Sequence, residues 1–142
     1  MNSQQTTWSA PDVGAVRRPR LLIADDDPVV RSVVGTQVAE AFEVVGTAAD
    51  TREAIAMARE HHPDAALIDI DMPGGGGLEA VRQISVVSPQ TCMVILSADE
   101  IRDHVIELLI AGAVSYVRKG ASGAQIVQTL SDSMKAHADA AA

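Results

Sequence analysis

Aromatic residues are almost absent from this sequence. They make up 2% of its 142 residues, one each of Trp, Tyr and Phe, so a core has to be built from Val, Ile, Leu and Ala. Cysteine occurs once, as Cys92 inside an apolar run. An intrachain disulfide is therefore excluded, and the thiol reads as a small core side chain in a reducing compartment. No stretch is long and apolar enough for a membrane-spanning helix, and the N-terminus lacks the apolar run of a signal peptide. A cytoplasmic protein is expected. Acidic residues outnumber basic ones, 19 to 11, and the net charge of -8 argues against a surface that grips nucleic acid directly.

What is present is a globular composition, 47% hydrophobic and 21% charged, at a length suited to one domain. Residues 1–18 are polar, contain Pro11, Gly14 and the lone Trp8, and show no sustained period. They are expected to be a disordered lead-in, with Arg17, Arg18 and Arg20 as a solvated basic flank. A folded domain is expected over 19–136, and the alanine-rich 137–142 is expected to fray.

Five short apolar runs punctuate the domain: Leu21–Ala24, Phe42–Gly46, Ala65–Ile68, Cys92–Leu96 and Ala113–Val117. Each is bounded by turn residues or charges, as in strands buried on both faces. A helical pattern follows each run. Asp27 and Pro28 form an N-cap and first helical residue, followed by Val30, Val33, Val34, Gln37, Val38 and Ala41. Asp50-Thr51-Arg52-Glu53 and Ser122-Gly123-Ala124-Gln125 resemble capping boxes. His61 and His62 do not share a helix face; they read as a favourable helix C-terminus, with no metal role. Ile101, Val105, Leu108 and Leu109 mark the fourth helix, and Ile126, Val127, Leu130 and Met134 the inner face of the fifth. Strict alternation of strand and helix predicts an α/β fold with a parallel sheet, right-handed crossovers and helices on both faces.

In such a sheet, ligands sit at the C-terminal ends of the strands. Asp25 and Asp26 end the first run, Asp69 the third and Ser97 the fourth, and Lys119 follows the fifth. Capping accounts for Asp27 but leaves Asp25 and Asp26 as adjacent acids that repel one another unless a cation intervenes. Three carboxylates around one point make a hard oxygen site suited to Mg²⁺ or Mn²⁺. Mg²⁺ favours a few carboxylates plus a phosphate, so a phosphoryl group is the expected partner. With one carboxylate as nucleophile, the product is an acyl phosphate on aspartate. The bland alternative is a buried ion pair between Asp26 and Lys119, which leaves Asp25 and Asp69 unexplained.

Over roughly Arg20 to Ser133 the sequence resembles the receiver domain of bacterial two-component response regulators, in particular the chemotaxis-regulator type. The resemblance implies a doubly wound (βα)5 flavodoxin-like fold with strand order 2-1-3-4-5. Asp69, in Leu67-Ile68-Asp69-Ile70-Asp71-Met72-Pro73, falls at the phosphoacceptor position. Asp25 and Asp26 match the acidic pair that holds Mg²⁺, Asp26 directly and Asp25 largely through water, and the main-chain carbonyl of Asp71 matches a further ligand. Ser97 matches the switch hydroxyl, Tyr116 the switch aromatic, Lys119 the family lysine, and Gly77 the glycine that closes the acceptor loop.

The resemblance further implies a phosphohistidine donor, either a histidine kinase or a phosphotransfer protein. It implies a signalling phosphoacceptor that promotes its own phosphorylation and dephosphorylation, and a switching surface on the fourth helix, fifth strand and fifth helix that allows a homodimer. By the same resemblance, Asp71 and Asp99 fall at the two positions expected to border the approach of water to the acyl phosphate.

Three positions depart from the family pattern: Gly120 stands where many members have a cis-proline, Gly76 where aspartate is common, and Ser97 where threonine is commoner. The second departure predicts a looser Gly74–Gly77 loop. Two rival readings are an interaction module used without phosphorylation and a haloacid-dehalogenase-type phosphatase suggested by Asp69-Ile70-Asp71. The latter places its motif after the first strand, unlike this chain.

Overall fold

The computed structural model describes residues 17–98 and 102–141, without the side chains of 102–105. The expected lead-in up to Val16 with Trp8, and also Asp99, Ile101, Ala142 and the Val105 side chain, lie outside the described residues. Strands β1 (Arg20–Ala24), β2 (Glu43–Ala48), β3 (Ala65–Asp69), β4 (Cys92–Ser97) and β5 (Ser115–Arg118) alternate with helices. These are α1 (Pro28–Val38), α2 (Thr51–His61), α3 (Gly76–Val87), α4 (Arg102–Ala111) and α5 (Gly123–Ala141). The strands form one sheet in the order β2-β1-β3-β4-β5, and every pairing is parallel.

The burial of each strand follows its place. β3 and β4 are buried at every residue, as interior strands covered on both faces must be, whereas the edge strands β2 and β5 carry exposed and half-buried positions. Side chains alternate across the sheet, so consecutive apolar residues feed two separate cores. Leu22, Ala24, Ala66, Ile68 and Ile95 pack with α2, α3 and Leu108 of α4. Leu21, Ile23, Leu67, Val94 and Val117 pack on the other face with α1 and with Ile126 and Leu130 of α5. Burying a side chain such as Ile68 contributes roughly 1.5–3 kcal/mol.

Local signals place the helix starts. Asp27 accepts from Val29 N at 2.8 Å, with Pro28 as first residue of α1. Asp50 accepts from Glu53 N at 2.8 Å, and Glu53 reaches back to Ala49 N at 2.8 Å. Ser122 accepts from Gln125 N at 3.1 Å. His62 closes α2 in the left-handed conformation, φ 45°, and its Nδ1 lies 3.3 Å from Ser88 Oγ.

Several details differ from the sequence pattern. β5 begins at Ser115, because Gly112 at φ 131° ends α4 and Ala113 N still bonds Leu108 O. Leu109 is 40% exposed, since Leu108 takes the inward phase of α4. Helix α5 runs on to Ala141, past the expected fraying point at His137. Two residues of the basic flank are tied to helix ends: Arg18 donates to Ala39 O beyond α1, and Arg20 to His61 O at the end of α2, each at 2.6 Å. Carbonyls at helix C-termini carry partial negative charge, so cations settle there.

Candidate functional site

The C-terminal edge of the sheet gathers the expected residues. Asp25 continues β1 by donating its amide to Ala48 O at 3.0 Å, and alternation turns its side chain inward, where it is fully buried. Asp26, one residue on, is exposed at the rim. Asp69 ends β3 and is 3% exposed. Ser97 ends β4 and is also buried, and Lys119 N donates to Ser97 O at 2.7 Å, which carries the β4–β5 ladder one residue further. Tyr116 lies outward on β5, 41% exposed.

Lys119 reaches across this edge. Its Nζ lies 2.9 Å from Asp25 Oδ2 and 3.1 Å from Asp69 Oδ1. Among the described residues its carboxylate partners are therefore Asp25 and Asp69, which corrects the Asp26–Lys119 pairing of the bland reading. Asp25 Oδ1 accepts from Asp27 N at 2.9 Å, and Asp69 Oδ1 from Asp71 N at 3.2 Å. Asp25 Oδ2 is held by its ion pair with Lys119, and Asp69 Oδ2 has no hydrogen-bond partner among the described residues. Burial pushes the Asp69 carboxyl up to about 6 against the pull of its hydrogen bond to Lys119, and the nearby charge of Asp25 adds to the rise. For Lys119 burial works against the charge, but its bonds to Asp25 and Asp69 outweigh that and raise its pKa.

Asp25, Asp26 and Asp69 each bring one carboxylate oxygen within 4.8 Å of the others. A single ammonium against this acid cluster leaves excess negative charge in a partly dry pocket. Buried oxygens without hydrogen bonds and an all-oxygen donor set fit a hard divalent cation. The side chain of Asp71 is exposed and outside this cluster, so its expected contribution rests on its carbonyl. An open groove of about 420 Å³, lined by Asp26, Asp71, Met72, Pro73, Gly75 and Gly76, leaves this side of the pocket accessible.

The loop after Asp69 is held at several points, in contrast to the looser segment that Gly76 predicts. Gly74, Gly75 and Gly76 have φ of 92°, 126° and 79°, a conformation that side chains oppose. Gly77 N donates to Ile70 O at 2.7 Å, and Thr51 Oγ1 donates to Gly76 O at 3.0 Å. Thr51 has no role in the sequence reading beyond helix capping. Its partner lies 25 residues away, so periodicity carries no signal for it. At the other departure, Gly120 has φ 89° and its preceding peptide is trans.

An acidic pocket with a buried lysine contact, at the C-terminal edge of a 2-1-3-4-5 sheet, defines a CheY-like domain of the flavodoxin fold. The chain belongs to the response regulator receiver domain family, whose model matches residues 21–131. It is 38% identical over 113 residues to the response regulator GacA of Pseudomonas viridiflava, across 78% of this chain and 53% of GacA. The chain spans about half the length of the curated relatives it matches. Among solved structures it resembles the signal receiver domain of NarL from Mycobacterium tuberculosis, with 28% identity, TM-score 0.80, and 84% of this chain and 98% of that one covered. It also resembles a chain of the CheX–CheY–BeF3–Mg²⁺ complex from Borrelia burgdorferi, with 28% identity, TM-score 0.69, and 77% and 84% covered. Response regulator receivers are signalling proteins, and phosphorylation on aspartate is characteristic of the family. The family match decides against the phosphatase reading of Asp69-Ile70-Asp71.

Proposed function

We propose that this chain is a phosphoacceptor that takes a phosphoryl group onto Asp69 from a histidine kinase or a phosphotransfer protein. The observation that carries the reading is the state of the Asp69 carboxylate. It is buried, Lys119 holds one oxygen at 3.1 Å, and the other oxygen has no hydrogen-bond partner among the described residues. Oδ2 is the attacking atom: the new O–P bond forms as the donor's N–P bond breaks, and the phosphoryl group leaves a histidine imidazole. Lys119 then pairs with an equatorial phosphoryl oxygen.

Asp26 and Asp69, the Asp71 carbonyl and, through water, Asp25 would hold Mg²⁺. When bound, that ion neutralises phosphoryl charge. Ser97 and Tyr116 form the switch: the hydroxyl turns to the phosphoryl group, and the exposed ring moves into the space vacated. The repacked surface is α4–β5–α5, where Ile106, Leu109 and Ile110 of α4 and Tyr116 of β5 are exposed. That apolar face supports homodimer formation in the phosphorylated state. The function is cytoplasmic, with nucleic acid and membrane untouched by this domain; no described helix is long and apolar enough to cross a membrane.

The test is labelling by radioactive acetyl phosphate with Mg²⁺, followed by a phosphohistidine donor protein. Wild type should incorporate a base-labile label and Asp69→Asn none. Label retained in Asp69→Asn would overturn the assignment. Absence of label from both donors would favour an interaction module used without phosphorylation.

A further inference from the structure

We propose that Thr51 is a positioning residue for the acceptor site, acting through the glycine loop between β3 and α3. The inference rests on the reading of the Asp71 carbonyl as a metal ligand. Thr51 is the first residue of α2 and belongs to no part of the acid pocket, yet it is 1% exposed. Its amide is one of the first-turn donors that a helix leaves without an internal partner. It donates instead to Pro73 O at 3.1 Å. Its hydroxyl donates to Gly76 O at 3.0 Å. One residue thus grips the loop at two points, on either side of Gly74 and Gly75.

The fit around the glycines is equally specific. A Cβ on Gly74 would lie 3.6 Å from Thr51 Cβ, and one on Gly75 3.9 Å from Thr51 Cγ2. The threonine therefore occupies the flank that loop side chains would otherwise fill. Three successive glycines at positive φ have little intrinsic preference for that path, and Gly75 gives α3 no side-chain cap. Gly77 N to Ile70 O, at 2.7 Å, closes the loop at its base, and Thr51 holds its far side. Asp71 lies between these fixed points, with its amide on Asp69 Oδ1 at 3.2 Å. Holding the loop therefore sets both the orientation of the acceptor carboxylate and the direction of the Asp71 carbonyl.

Thr51→Val keeps the shape and removes the hydroxyl, whereas Thr51→Ser keeps the hydroxyl and loses the methyl group. Two quantities are measured on the full chain: Mg²⁺ affinity by calorimetry, and amide hydrogen exchange of the peptide covering 70–77. Thr51→Val should weaken Mg²⁺ about three- to tenfold, the range for one lost hydrogen bond, and speed exchange in 70–77 by a similar factor. Exchange in β1 and β4 should not change, and Thr51→Ser should restore most of both effects. Unchanged affinity and unchanged local exchange in Thr51→Val would overturn the proposal, as would equal losses in Thr51→Ser. Accelerated exchange throughout the sheet would also overturn it, since the residue would then be a general stabiliser. If wild type binds no Mg²⁺, the metal reading fails by itself. The exchange of 70–77 still decides whether Thr51 holds the loop.

Discussion

The ammonium of Lys119 stands 3.1 Å from Asp69 Oδ1, yet the Asp69 carboxyl still titrates high, at about 6. Burial outweighs the cation. The folded protein therefore binds a proton on Asp69 more tightly than the unfolded chain does, the reverse of the usual aspartate. Below the unfolded value of 3.8 this group costs no stability; the penalty grows between 3.8 and about 6 and is complete above that. It amounts to about 3 kcal/mol in the metal-free state. In chelator, urea midpoints should fall as pH rises from about 4.5 to 7, and Asp69→Asn should flatten that slope and be the more stable protein at pH 7. An equally steep fall in Asp69→Asn would place the titrating group elsewhere.

Metal should reverse the penalty. A cation that binds only the folded state stabilises it by about 2.7 kcal/mol at 100 times its dissociation constant. Millimolar Mg²⁺ should raise the melting temperature of wild type and raise it far less in Asp26→Asn, whose exposed carboxylate is read as a direct ligand. An equal rise in both would remove Asp26 from the site.

Much of this site is legible in the sequence because apolar runs mark strands, and strand ends in a parallel sheet share one edge. That places Asp25, Asp69, Ser97 and Lys119 together without any tertiary information. Which acid takes the lysine depends on the inward phase of β1, and the apolar run ending at Ala24 does not reveal whether alternation persists through Asp25. Leu109 was hidden for a similar reason, since neighbouring leucines leave a helix phase ambiguous by one residue. Thr51 was illegible altogether. Its hydroxyl serves a loop from another crossover, and nothing local distinguishes it from an ordinary first helical residue.

Gly77 offers a test of the loop's closure that does not depend on phosphorylation. A Cβ there would sit 2.7 Å from Asp69 O and 2.9 Å from Ile70 Cα, and backbone atoms cannot swing aside. Gly77→Ala should destabilise the fold by roughly 2–4 kcal/mol, in the range of severe backbone conflict. Gly120→Ala meets nothing within 4 Å but has φ 89°, so its cost should be the smaller, about 1 kcal/mol. Urea unfolding of the two variants in chelator measures the order, and a larger loss at Gly120 would contradict the packing around Gly77.

The last expectation concerns the lifetime of the acyl phosphate. The Asp71 side chain is exposed at the groove beside the acceptor, with its amide already on Asp69 Oδ1. A carboxylate there either orients an attacking water or repels the phosphoryl dianion. Orientation requires a fixed side chain, and an exposed one next to open solvent is not fixed. Repulsion needs only proximity. Two unit charges about 4 Å apart in water cost about 1 kcal/mol. Relieved fully in the transition state for hydrolysis, that is about fivefold in rate. Asp71→Asn should therefore prolong the phosphorylated state about fivefold while Mg²⁺ affinity, which uses the carbonyl, changes little. Decay of labelled protein in a single turnover, at matched free Mg²⁺, measures it. A faster decay in Asp71→Asn would show that repulsion of the phosphoryl group by the Asp71 carboxylate does not set the lifetime.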